Sequence, residues 1–122
     1  MTSGNPNAAR GAVVLATYSR PARLLKCLDS VERAQSENPL TRVVIVLQVG
    51  DPRVEEVVRE SASKNTNWLV VPVRRPRMSA LQAMNENYWL AFSLAFADGN
   101  TCWALSTEEE SEMAPDSLGF ID

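Results

Sequence analysis

Four short apolar runs, residues 12–17, 42–49, 68–73 and 102–107, punctuate the chain, and longer segments with apolar residues at helical spacing lie between them. Runs of this length, rich in β-branched side chains, suit strands buried on both faces of a parallel sheet. Parallel neighbours need crossovers of a dozen or more residues, usually helical, and the intervening segments supply them. The alternation therefore restricts the chain to α/β architectures. Right-handed crossovers then give a three-layer α/β/α sandwich around a mostly parallel, Rossmann-like sheet.

The punctuation is consistent with that reading. Tyr18-Ser19-Arg20-Pro21 breaks the first run, and Pro21 suits the first turn of a helix over 22–36 that carries Leu24, Leu25, Leu28 and Val31. Asn38-Pro39 ends it. Gly50-Asp51-Pro52 turns the second run into a helix bearing Val54, Val57 and Val58, closed at residues 65–67. Pro72 lacks an N–H, so the third strand lies at an edge or ends there. A basic loop, residues 74–77, leads to a long helix over 79–97, stopped by Asp98-Gly99-Asn100. A last short helix is expected after Pro115.

A length of 122 residues suits one domain, read here as residues 12–122 behind a flexible tail, residues 1–11. Hydrophobic residues make up 45 % and charged residues 22 %, enough for a real core. A net charge of -3 offers no field for nucleic acid. No run is long enough to span a membrane and none reads as a secretory leader, which predicts a cytoplasmic protein. Cys27 and Cys102 have no CxxC partners and are expected to be buried as small hydrophobes. Trp68, Tyr88, Trp89, Phe92 and Trp103 read as core more readily than as a sugar pocket.

The chemistry is concentrated near the C-terminus. Glu108, Glu109 and Glu110 follow the fourth run directly, where an open α/β sheet presents its ligand. Such a cluster suits a hard cation, Mn²⁺ or Mg²⁺, whose shell phosphate oxygens can complete. The plainer reading is solvated acids ahead of a helix. Arg20, at a helix N-terminus, suits a bound anion or a solvent-directed side chain. Arg74, Arg75 and Arg77 suit phosphate or a solvated loop. The first turn has no Gly-rich phosphate loop and no acids of the receiver type, which weakens those doubly wound alternatives. The chain has no histidine to serve as a general base.

Taken together, the Thr17-Tyr-Ser-Arg-Pro21 turn, the Leu24-Leu-Lys-Cys-Leu-Asp-Ser30 helix, the segment from Asn87 to Phe96, Trp103-Ala-Leu and the stretch Glu108-Glu-Glu-Ser-Glu-Met-Ala-Pro-Asp116 resemble the nucleotide-binding half of GT-A-fold glycosyltransferases. The pattern is most similar to the N-acetylglucosaminyltransferase I and protein-O-mannose N-acetylglucosaminyltransferase type. The resemblance implies a nucleoside-diphosphate sugar as ligand, a UDP-sugar first, and a hexosyl or N-acetylhexosaminyl group transferred if the chain is catalytic. It places the metal ligand of the DxD-like motif at Glu110, with Glu108 and Glu109 toward the ribose and nearby waters. Arg20 would approach the diphosphate, while Thr17 and Gln48 complete the nucleotide side. Val49 stands where the family has its uracil-contacting acid. The acceptor-binding half, which in that family follows the acidic motif, is expected to be missing. The alternative is a truncated or degenerate, non-catalytic relative that binds nucleotide or another protein. A sheet edge left bare would then pair with a second copy or a partner chain.

Overall fold

The computed structural model describes residues 11–17, 21–38, 41–65, 67–75, 77–97, 99 and 101–107. Its elements alternate strictly: β1 (Gly11–Ala16), α1 (Pro21–Glu37), β2 (Thr41–Gln48), α2 (Pro52–Ser63), β3 (Trp68–Val73), α3 (Ala80–Phe96) and β4 (Trp103–Thr107). Residues 1–10 of the expected tail, Arg20, residues 108–110 and the helix expected after Pro115 fall outside the described residues, while Gly11 opens β1.

The four strands form one parallel sheet in the order β3-β2-β1-β4. From β1 the chain steps to β2 and β3 in one direction, then returns across the sheet to place β4 on the other side of β1. With right-handed crossovers, that reversal sends α1 and α2 to one face and α3 to the other. Among the described residues β3 is an edge strand, one of the two alternatives Pro72 left open.

The face beneath α1 and α2 is packed from large aliphatic side chains. Val13, Leu15, Val43, Ile45 and Leu47 of the sheet meet Leu24, Leu28 and Val31 of α1 and Val54 and Val58 of α2, all essentially inaccessible to solvent. The face beneath α3 uses smaller groups, with Ala12, Val14, Val44 and Val46 against Ala91 and Ala95. β1 is buried throughout because both layers cover it.

Two glycines have steric reasons. Gly50 has a φ of 140°, a conformation that L side chains rarely adopt, and it leads into the cap of α2. Asp51 forms that cap by accepting the Arg53 amide at 3.0 Å, and Pro52 occupies the first turn. Gly11 pairs with Trp103, and a Cβ there would overlap the Trp103 indole. Ser79 caps α3 through the Gln82 amide at 3.2 Å. At the other end of α3, Arg42 reaches over from β2 and donates to Leu94 O at 3.1 Å. A cation suits a helix C-terminus, where carbonyl groups lack intrahelical partners.

Two expectations are corrected. Cys102 is exposed, because β4 begins one residue later and the sulfur lies outside the covered strand. Trp89 is 74 % exposed, since it lies roughly 200° around α3 from Ala91, which faces the sheet. Trp68, Tyr88, Phe92 and Trp103 pack partly buried against the two cores, and Cys27 is buried as expected.

Candidate functional site at the carboxyl end of the sheet

At the carboxyl end of the sheet, Thr17 ties β1 to β2. Its amide donates to Val46 O at 3.1 Å, and its Oγ1 accepts the Gln48 amide at 3.3 Å. Thr17 is buried, which suits a side chain clamping backbone rather than reaching into solvent. Strand alternation directs Val44, Val46 and Gln48 toward α3. There Gln48 Oε1 accepts from Asn87 Nδ2 at 3.0 Å, and Asn87 Oδ1 accepts from Arg75 Nε at 3.1 Å.

Asn87 is the central group of this chain of hydrogen bonds. It sits in a buried stripe of α3, Ala83-Asn87-Ala91-Ala95, every fourth residue on one helix face. A buried amide is costly unless it is hydrogen-bonded, and Asn87 engages both its oxygen and its nitrogen. Its neighbour Tyr88 donates its hydroxyl to Thr107 O at 2.6 Å and ties the same helix to the end of β4. Sequence reading missed Asn87, and it took Arg75 for a phosphate or solvated-loop residue where the structure pairs it with Asn87. The available signal was one polar residue within a stripe of alanines at helical spacing.

Direction along the sheet reverses between β1 and β4, the topological switch point outside which open α/β sheets hold their ligands. The pairing of Leu15 with Thr107 brings the two strands out at nearly the same level. Of the site residues expected from sequence, Thr17 and Gln48 are in contact. Arg20, Glu108, Glu109 and Glu110 lie outside the described residues, the three acids following Thr107 directly in sequence. Among the described residues no group of three acidic or cysteine side chains could hold a metal ion.

One residue beyond Gln48, an open cleft of about 450 Å³ lies between the ends of β2 and β3, lined by Val49, Glu55, Arg59, Pro72, Val73 and Arg74. That volume falls in the range of small-molecule sites. Arg59 pairs with Glu55 at 3.9 Å across one helical turn, an exposed contact of little energetic weight. Beside the cleft, the hydrogen bonds and charge of Arg53 hold the Asp51 carboxyl below its ordinary value.

No family model matches the sequence, and no curated protein matches it either. Comparison with solved structures gives a clear fold. The mannosyltransferase PcManGT from Pyrobaculum calidifontis, in complex with GDP-Man and Mn²⁺, is similar with a TM-score of 0.59 at 18 % identity. The match covers 93 % of this chain and 32 % of that one, so this chain spans about a third of the mannosyltransferase. Among the described residues the small parallel sheet with its three helices thus matches the Rossmann-like fold of that glycosyltransferase. Among the described residues no helix is long and apolar enough to cross a membrane.

Proposed function

We propose that this chain is a donor-binding domain of the glycosyltransferase kind, which takes a nucleoside-diphosphate sugar at the carboxyl end of its sheet. The observation that carries the reading is the switch point between β1 and β4, in a fold shared with a GDP-mannose enzyme, with Glu108–Glu110 next in sequence after β4. Thr17 holds the ends of β1 and β2 in register, and Gln48 stands half-buried beside it. Arg20 would carry positive charge toward the diphosphate, and Glu110 would ligate the divalent cation, Mn²⁺ or Mg²⁺. A bound cation would neutralise the charge that grows on the diphosphate as an acceptor oxygen displaces it from the anomeric carbon. A UDP-sugar is the first donor to try, with GDP-mannose second.

Calorimetric titration with UDP, GDP, UDP-N-acetylglucosamine and GDP-mannose, each with and without Mn²⁺, tests this reading. Metal-dependent binding that disappears in Glu110→Ala is the expected result. Silence with all four ligands would overturn it.

One observation favours a second reading, a protein-interaction module in which catalysis is absent. α3 leaves Leu81, Met84, Trp89 and Phe96 exposed, and β4 is an edge strand among the described residues. Pairing with a second copy or a partner chain would cover such surfaces. Gel filtration at two concentrations reads the homodimer directly, and a monomer at both would remove it.

A further inference from the structure

The hydrogen bonds behind Gln48 have a fixed polarity. An arginine guanidinium can only donate, so the group that accepts from Arg75 Nε must be the Asn87 oxygen. That leaves the Asn87 NH₂ facing Gln48, where its partner must be an acceptor, and the 3.0 Å contact is with Gln48 Oε1. Amide orientation is ordinarily ambiguous, because oxygen and nitrogen are nearly isosteric, but a donor-only residue at the start of the chain removes the ambiguity. The backbone amide of Gln48 is meanwhile committed to Thr17 Oγ1 at 3.3 Å. Among the described residues nothing else engages the half-buried Gln48 side chain, which leaves its NH₂ for an incoming group.

We infer that Arg75 and Asn87 are positioning residues that orient the Gln48 carboxamide to present a hydrogen-bond donor, so that the site selects nucleobases with a carbonyl oxygen at pyrimidine C4 or purine C6 over those with an amino group there. This rests on the nucleotide-binding reading above and specifies its ligand. Uracil O4 and guanine O6 accept hydrogen bonds, whereas cytosine N4 and adenine N6 donate them. UDP and CDP differ in that respect with little change of shape, which makes them the sharpest pair. A buried amide that turns away from its partner leaves a polar group unpaired, so the preference is built into the protein before ligand arrives.

The test is competitive titration of the intact chain with UDP, CDP, GDP and ADP in Mn²⁺, repeated on Asn87→Asp and Gln48→Glu. In Asn87→Asp the new carboxylate would accept from both Arg75 and the Gln48 NH₂, turning the Gln48 oxygen outward. In Gln48→Glu the carboxylate would accept from Asn87 with one oxygen and present the other. Wild type is expected to favour UDP over CDP and GDP over ADP by about tenfold, the worth of one hydrogen bond, and both variants to reverse the order. Side-chain amide NMR of the free protein adds a readout that needs no ligand. Asn87 NH₂ protons should exchange slowly and those of Gln48 quickly. UDP and CDP binding equally to wild type would overturn this inference and leave the nucleotide site standing, as would an unchanged preference in both folded variants. Failure of wild type to bind any of the four would overturn the proposed function, and this inference with it.

Discussion

The two faces of the sheet are built for different purposes. Under α1 and α2 the interface is a cluster of leucines, valines and an isoleucine, with Cys27 and Ala34 filling the smaller gaps. Under α3 the central contacts are alanines and valines, and the helix adds a buried asparagine, a tyrosine tied to β4 and several exposed apolar side chains. The first face supplies burial, which is non-directional and tolerates little loss of volume. The second supplies direction, because hydrogen bonds at one end of the sheet fix where polar atoms point. A nucleotide site of the proposed kind would need the second and depend on the first only for support.

The sharpest way to break this contrast is to remove volume from the first face. Leu28→Ala, at a fully buried position of α1, is expected to cost about 2–5 kcal/mol in urea unfolding. The protein that remains folded should keep its order of preference among nucleotides. Next comes overfilling between β1 and β4. Gly11→Ala forces a methyl into the Trp103 indole and should cost about 1–3 kcal/mol, recovered in part by adding Trp103→Leu. On the second face, Tyr88→Phe removes only a hydroxyl and its bond to Thr107 O, an expected loss of about 1 kcal/mol. Its larger consequence should be faster amide exchange at the end of β4, readable by hydrogen-exchange NMR.

The smallest effect is a pH dependence at the start of α2. The Arg53 hydrogen bonds lower the Asp51 pKa in the folded chain, so the carboxylate stabilises the fold above its ordinary unfolded value. That contribution is lost as pH falls through the lowered folded value. Melting temperatures of wild type and Asp51→Asn should therefore differ at neutral pH and converge in acid, because asparagine still caps the helix but carries no charge. Parallel curves at all pH values would show that the charge of Asp51 has no part in the cap.

Legibility from sequence follows the same division. The strands read directly as apolar runs, and Leu24, Leu28 and Val31 announce α1 by spacing, although Leu25, read with them, is exposed. Pro72 marks an edge or a strand end because a missing N–H cannot serve a central strand. The α3 face reads less well. Trp89 passes for core because α3 is apolar nearly all round, and hydropathy then cannot tell which side faces the sheet. Thr17 and Gln48 follow from the family resemblance, but the Asn87–Arg75 support behind Gln48 joins residues 12 and 39 positions apart and has no periodic signature.

Local sequence is enough for the class of fold, the order of strands and helices along the chain and the aliphatic core, since these follow from spacing and from turn residues that allow few backbone conformations. Long-range packing is what sets the strand order β3-β2-β1-β4, and with it the place where the sheet changes direction. It also sets which way the Gln48 amide points, because that depends on a donor-only arginine reaching a buried asparagine on a different element. Side-chain polarity at a site is fixed by partners brought together only when distant segments pack, and no local pattern encodes it.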